Sequence, residues 1–256
     1  MSEYNPANGP AVGLVVVPNN CTPDGTVRIM SVKGCTSGGT TSSTENEIVW
    51  GPYTDTGLPG LTSVPTWTNS AGSTSGFSDY GYAPSDSFSD VECYGNSSVF
   101  YSEDVEYEEP IIPPILTSAD TLNPDCLVEI RSPNTNALLD FDGAGNTALL
   151  VGLGTAYTAA NACANYSVDG METGWYLPAC GELVYILPKF TVLQDTLSSL
   201  SGVSLNASND YWSSSEYDAR AARSVDTYAG IVSGYPKGTD WYVRPFASLP
   251  VTADYF

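Results

Sequence analysis

The chain has 256 residues and a formal net charge of -21, with 29 acidic side chains against 8 basic ones and no histidine. A phosphate-binding surface needs clustered Lys and Arg, so this balance argues against nucleic acid and against anionic membrane surfaces as partners. The missing histidine removes the commonest general base, the Ser/His/Asp and Cys/His nucleophile pairs and His-containing zinc sites, so no catalytic residue, metal site or cofactor is expected and the chain is read as not an enzyme.

The N-terminus, MSEYNPANGP, is acidic and polar and lacks the basic-then-apolar order of a signal peptide. The run Val12–Val17 is strand-length, too short for a transmembrane helix, so no membrane insertion is expected. A turn at Pro23-Asp24-Gly25 followed by a β-rich run, Thr26–Val32, predicts a hairpin. Residues 34–44 are Gly/Ser/Thr-rich and read as a loop. From Glu47 to Tyr107 aromatics such as Trp50, Tyr53, Trp67 and Tyr80 alternate with Gly, Ser, Asp and Pro without a 3.6 period, as in loop-rich β structure. The acidic, then proline-rich stretch 103–114 predicts a boundary, dividing a β-rich N-terminal domain, 1–114, from a second domain, 115–256.

Helices are predicted only in the second half. Thr155–Tyr166 places Ala156, Ala159, Ala160, Cys163 and Tyr166 on one face. A second helix begins at Pro178, with Glu182 near its positive end and Leu183, Ile186 and Leu187 on its apolar face. Pro188 interrupts it, and Phe190, Leu193, Leu197 and Leu200 continue the pattern to Gly202. β signals then return to the end, so the fold class expected is α+β. The cysteines Cys21, Cys35, Cys93, Cys126, Cys163 and Cys180 form no C-x-x-C pair; disulfides and free, partly buried thiols both remain open.

Three blocks, GWYLPACGEL from Gly174, YWSSSEYD from Tyr211 and YVRPF from Tyr242, occur in this order. They resemble a bacterial and phage family with a C-type-lectin fold related to the formylglycine-generating-enzyme group. The matching residues are Trp175, Leu177, Pro178, Glu182 and Leu183, then Tyr211–Tyr217, then Tyr242–Arg244. The segment 218–241 looks like the variable region of target proteins of diversity-generating retroelements, and VGLVVVPNN with DGTVRIMSVK is similar to the N-terminal part of such proteins in phages of gut Bacteroidales.

That resemblance implies a C-terminal C-type-lectin-like domain with two helices and small twisted antiparallel sheets. Trp212, Glu216, Val225, Val232, Val243, Arg244 and Phe246 would form its frame, with Arg244 expected to pair with Glu216. Alternation along the strand after Arg223 turns Val225 and Thr227 inward and Ser224, Asp226 and Tyr228 outward. The expected ligand contacts are Asp218, Arg220, Ser224, Asp226, Tyr228, Ile231, Ser233, Tyr235, Thr239, Asp240 and Trp241. Adenine changes in an Asn codon cannot produce Trp241, but its position is expected to be exposed.

Calcium-lectin motifs of the E-P-N, Q-P-D or W-N-D kind are missing, and the catalytic cysteines of the formylglycine enzymes have no C-terminal match. Asp140-Phe-Asp142-Gly143 has its Gly too early for a calcium loop. The expected function is receptor binding by a phage virion component, at a tail or head-fibre tip. Its partners would be a host cell-surface protein or glycan, other virion proteins and further copies of itself, a homo-oligomer with a trimer favoured. The alternatives are a bacterial cell-surface adhesin of the same fold and, disfavoured, an enzyme of the formylglycine-generating type.

Overall fold

The structure, a computed structural model, describes residues 10–19, 22, 24–54, 58, 140–200, 202–207, 209–217, 219–227 and 231–251, with backbone only at 188 and 231–233. The aromatic-rich stretch beyond residue 58 and the expected boundary at 103–114 lie outside these residues.

Strands β1 (Gly13–Val17) and β2 (Val27–Ser31) form the predicted antiparallel hairpin, in register from Gly13 opposite Ser31, with a bulge between Val15 and Val17. Its connection needs a left-handed residue, which Gly25 supplies with φ 70°. The Asp24 carboxylate accepts the Thr26 N–H at 3.1 Å beside it. β2 is buried at all five positions because it is covered on both edges as well as both faces. Its far neighbour is β11 (Phe246–Leu249), which pairs in turn with β6 (Trp175–Tyr176), giving the order β1-β2-β11-β6.

The larger sheet has the order β5-β10-β7-β8-β9, built from β5 (Glu47–Val49), β7 (Asp210–Glu216), β8 (Ala221–Asp226), β9 (Ile231–Pro236) and β10 (Asp240–Tyr242). Its pairings are antiparallel except for the parallel contact of β10 with β7 at Tyr242 and Tyr211. Inside the expected 34–44 loop, β3 (Gly34–Cys35) and β4 (Thr41–Ser42) pair as a minimal hairpin. Both large sheets draw strands from either side of the expected division at 114/115, so among the described residues the two halves share one architecture.

Four α-helices are described. α1 (Gly143–Leu153) is capped by Asp142, whose carboxylate accepts the Gly145 N–H at 2.9 Å. Sequence periodicity does not reveal it. α2 (Thr158–Ala164) is the core of the predicted 155–166 helix; it buries Ala159, Ala160 and Cys163, with Tyr166 buried just beyond and Ala156 exposed before it. α3 (Cys180–Ile186) starts two residues after Pro178, and Pro188 falls in a 3-10 turn, Leu187–Lys189, that leads into α4 (Phe190–Ser199). The fold is therefore mixed α+β with small, mainly antiparallel sheets.

Apolar side chains collect on both sides of the larger sheet. One core joins Met30, Leu183, Ile186, Leu197, Tyr211, Val225 and Phe246. The other joins Ile48, Trp50, Tyr157, Cys163, Trp175, Trp212 and Ala222. β8 is thus covered on both faces: Val225 is buried, and so are Arg223 and Ser224. The inward–outward alternation expected for this strand fails for that reason, since the outward position 224 faces the second core.

Candidate ligand-binding face

The three motif blocks meet in one frame. From the first block, Trp175 and Leu177 are buried, and the Pro178 carbonyl accepts the Ser214 N–H of β7 at 2.8 Å. Glu182 is fully buried; it accepts the Ala179 N–H at 2.9 Å, completing the start of α3, and also Arg28 Nε at 2.6 Å and the Tyr176 hydroxyl at 3.0 Å. Burial pushes its carboxyl up to about 7, against the opposing pull of the Arg28 guanidinium.

The second block is β7, buried at all seven positions although four of its residues are serine or glutamate. Each of these polar groups is matched, as burial requires. Ser213 Oγ donates to the Arg223 carbonyl at 2.8 Å and Ser214 Oγ accepts Asn146 Nδ2 at 3.2 Å. Ser215 Oγ donates to Asp140 at 2.7 Å and accepts the Cys180 N–H at 3.0 Å. Glu216 accepts the Lys237 ammonium, and both side chains are fully buried. The Trp212 indole N–H donates to the Ile48 carbonyl at 3.0 Å, tying the block to β5.

In the third block Val243 and Phe246 are buried, and the Arg244 guanidinium donates to Glu45, to the Ser31 carbonyl at 3.2 Å and to the Val203 carbonyl at 2.7 Å. The expected Arg244–Glu216 pair is therefore corrected. Arg244 binds Glu45, which arrives from the first half beside β5, while Glu216 is neutralised by Lys237 from the stretch between the second and third blocks.

Between the second and third blocks the chain forms the β8–β9 hairpin, at the outer edge of the larger sheet, and the turn into β10. Register places Asp226 opposite Asp210, and Tyr235 opposite Ala222. Residues 222, 224 and 226 share one side of β8, and Tyr235 meets Trp241 edge-on at 5.1 Å between ring centroids and 72° between planes. Asp226, Tyr235 and Trp241 are half-buried and lie together on this side. Thr239 is half-buried in the turn next to them, and Asp240 is exposed at the start of β10. Arg220 is exposed at the base of the hairpin, where its carbonyl accepts the Lys237 N–H at 2.9 Å.

Ser224 is corrected from a ligand contact to a structural residue. It is fully buried, and its hydroxyl donates to Asp210 at 2.8 Å, so a partner's atoms do not reach it. Asp218 and Tyr228 lie outside the described residues, as do the side chains of Ile231 and Ser233. Two residues that sequence reading passed over belong to the site. Asp210 sits beneath the face, its carboxyl pushed up to about 6 by burial and by the neighbouring Asp226, against the Ser224 hydrogen bond. Burial, with Asp210 and Asp226 nearby, raises the Tyr235 phenol. Lys237 anchors the hairpin, but between Pro236 and Gly238 nothing in the sequence marks it as buried.

Other reactive types are occupied structurally. The Cys180 thiol is pushed up to about 12, mainly by burial, so it is protonated at neutral pH. Among the described residues no group of three His, Cys, Asp or Glu side chains could hold a metal ion, and no helix is long and apolar enough to cross a membrane.

No protein-family model matches the chain, and no curated protein matches it. Among solved structures it is similar to a fimbrial protein from Bacteroides ovatus ATCC 8483, at 16% identity and a TM-score of 0.43. The likeness covers 87% of this chain and 36% of that one, so the chain spans little more than a third of its length.

Proposed function

We propose that this chain is a ligand-display protein in which a C-type-lectin-like frame presents residues 218–241 to a host-surface molecule, as part of a phage tail or head fibre. The observation behind this reading is the division of labour around β7. The motif residues Trp175, Leu177, Glu182, Trp212, Glu216, Val243 and Arg244 are buried and interlocked, while the segment between the second and third blocks runs along the sheet edge with Asp226, Tyr235 and Trp241 reaching solvent. A frame of that kind tolerates changes at the half-exposed positions, because Asp226 lies outside both cores and Tyr235 and Trp241 pack only on the margin of the second one.

The chemistry of the face suits protein or glycan contact. Tyr and Trp offer large contact area at low entropic cost, and the adjoining Asp and Thr side chains adapt by hydrogen bonding. Display in several copies, in a trimer for instance, raises modest single-site affinity to a useful avidity. Binding needs no reaction, and the protonated, buried Cys180 offers no thiolate for one.

The test is binding of the purified chain to host cells, measured by flow cytometry for the wild type and for Tyr235→Ala and Asp226→Ala. A central aromatic contact is expected to lower affinity by about 30-fold, the loss that accompanies ~2 kcal/mol. The Tm should fall by no more than about 5 °C, since both residues are partly exposed. Unchanged binding by both variants would remove this face from the proposal. Immunogold labelling of virus particles locates the protein; label on bacterial cells alone would move it to an adhesin.

A further inference from the structure

Cys35, Cys163 and Cys180 are buried with free thiols. Cys35 ends β3, and its sulfur lies 3.4 Å from the Ala162 carbonyl oxygen and 3.2 Å from that of Thr36. Ala162 directly precedes Cys163, whose thiol neighbours that of Cys35, and both side chains are fully buried in the same core.

This contact is one of three between the β3–β4 hairpin and α2. Lys33, just before β3, accepts the Tyr166 hydroxyl at 3.3 Å. Gly39, in the hairpin turn with φ 81°, is pressed so closely on the end of α2 that a Cβ there would stand 2.5 Å from Asn165 Cβ and 3.0 Å from the Ala162 carbonyl oxygen. Contacts on either side thus hold Cys35 against the end of α2 that carries Cys163, which brings the two thiols into the neighbourhood that an S–S bond of about 2.05 Å requires.

We propose that Cys35 and Cys163 are joined by a disulfide in the mature protein, stapling β3 to α2. The oxidant is a small disulfide such as oxidised glutathione. One cysteine thiolate attacks it, forming a mixed disulfide and releasing one glutathione thiol; the second cysteine then attacks the protein sulfur and releases the other. Overall two protein thiols lose two protons and two electrons, one S–S bond forms, and the oxidant is cleaved to two thiols. Burial and the neighbouring sulfur disfavour the Cys163 thiolate in the folded chain, so the exchange is fastest while the hairpin is still undocked. The bridge closes a loop of 129 residues, counting from 35 to 163 inclusive, and long loops gain most from closure.

The experiment is disulfide mapping of the purified full chain after incubation in a glutathione redox buffer, with alkylation in denaturant before digestion. The expected result is a linked peptide pair containing Cys35 and Cys163, with Cys180 alkylated. The Tm should exceed that of the reduced protein by roughly 10 °C, a difference abolished in Cys163→Ser and Cys163→Ala. Full alkylation of both cysteines after oxidation, or a link from either to Cys21, Cys93 or Cys126, overturns the proposal; a correct link with an unchanged Tm overturns the stapling role. Mapping on the wild type stands even where a variant fails to fold, and none of these outcomes depends on the display function.

Discussion

Replacing Lys237 tests how the β8–β9 hairpin is held. Its ammonium is fully buried, donates to Glu216 and to the Ala219 carbonyl at 3.0 Å, reaches Thr54 Oγ1 at 3.5 Å and lies 5.1 Å from the centre of the Trp50 ring. Its backbone works in the same place: the Lys237 carbonyl accepts the N–H groups of Trp50 and Gly51 at 3.1 and 3.2 Å. The other Glu216 oxygen accepts the Leu58 N–H at 2.6 Å, so one ion pair ties β7, the end of β9, residues 50–54 and Leu58 together. At an effective dielectric of 20, charges about 3 Å apart attract by roughly 5 kcal/mol, close to the several kcal/mol of desolvation each ion incurs. The intact pair is therefore nearly neutral, whereas either charge alone is buried without its counter-ion. Lys237→Met is expected to lower unfolding free energy by about 3–5 kcal/mol, and Glu216→Gln by a similar amount. The double variant should lose clearly less than the sum, with a coupling of about 2 kcal/mol or more. Urea unfolding of the four proteins measures this. Losses below about 1 kcal/mol for both single variants, or additive losses in the double one, would refute the reasoning.

The carboxyl of Asp210 is raised from its ordinary 3.8 to about 6, so the folded state holds this proton more tightly than the unfolded one. Its contribution is complete below about pH 4 and is lost as pH rises through 6, by up to about 3 kcal/mol at 1.36 kcal/mol per pH unit. Asp210→Asn keeps an acceptor for Ser224, and should flatten the pH dependence and be the more stable protein above pH 7; parallel stability curves from pH 4 to 8 would contradict this. Asp142→Ala removes the cap of α1 and should lower stability by about 1 kcal/mol in the same urea assay. A loss beyond about 3 kcal/mol would mean that Asp142 has a larger role than capping.

The parts of the fold that were legible in the sequence are those governed by near neighbours. The Asp24-Gly25 turn announces the first hairpin because only a left-handed residue closes it. α2 and α4 are visible because Ala159, Ala160 and Cys163, or Leu193 and Leu197, recur at helical spacing on one buried face. α1 stays hidden: Ala144, Ala148, Val151 and Leu153 are exposed although apolar or small, so polarity does not alternate around the helix. At the site, the motif blocks point to the buried frame, whereas Tyr235 and Trp241, expected to be exposed, are half-buried because both pack against the second core. Ser224 misleads because alternation assigns sides of a strand but not which sides are covered. Arg244 misleads because its partner, Glu45, is 199 residues away and no local pattern links them.

The dependence of the proposed recognition face on the first half of the chain leads to a further prediction. β5 pairs with β10 and so supports the strand that carries Trp241, and Trp50 sits against the Lys237 anchor. β2 lies between β1 and β11, and its Arg28 neutralises the buried Glu182 at the start of α3. A fragment of residues 140–256 loses all of these: Glu182 and Arg244 are left without Arg28 and Glu45, and one edge each of β11 and β10 is left with no neighbouring strand. Each stranded charge alone is worth about 3–5 kcal/mol, comparable to much of the ~5–15 kcal/mol that stabilises a whole domain. The fragment is expected to lack cooperative thermal unfolding and near-ultraviolet circular dichroism, while adding residues 1–58 as a separate chain should restore both in part. A cooperative transition in the fragment alone would show that the second half folds independently and that the shared sheets are an addition to a frame already complete.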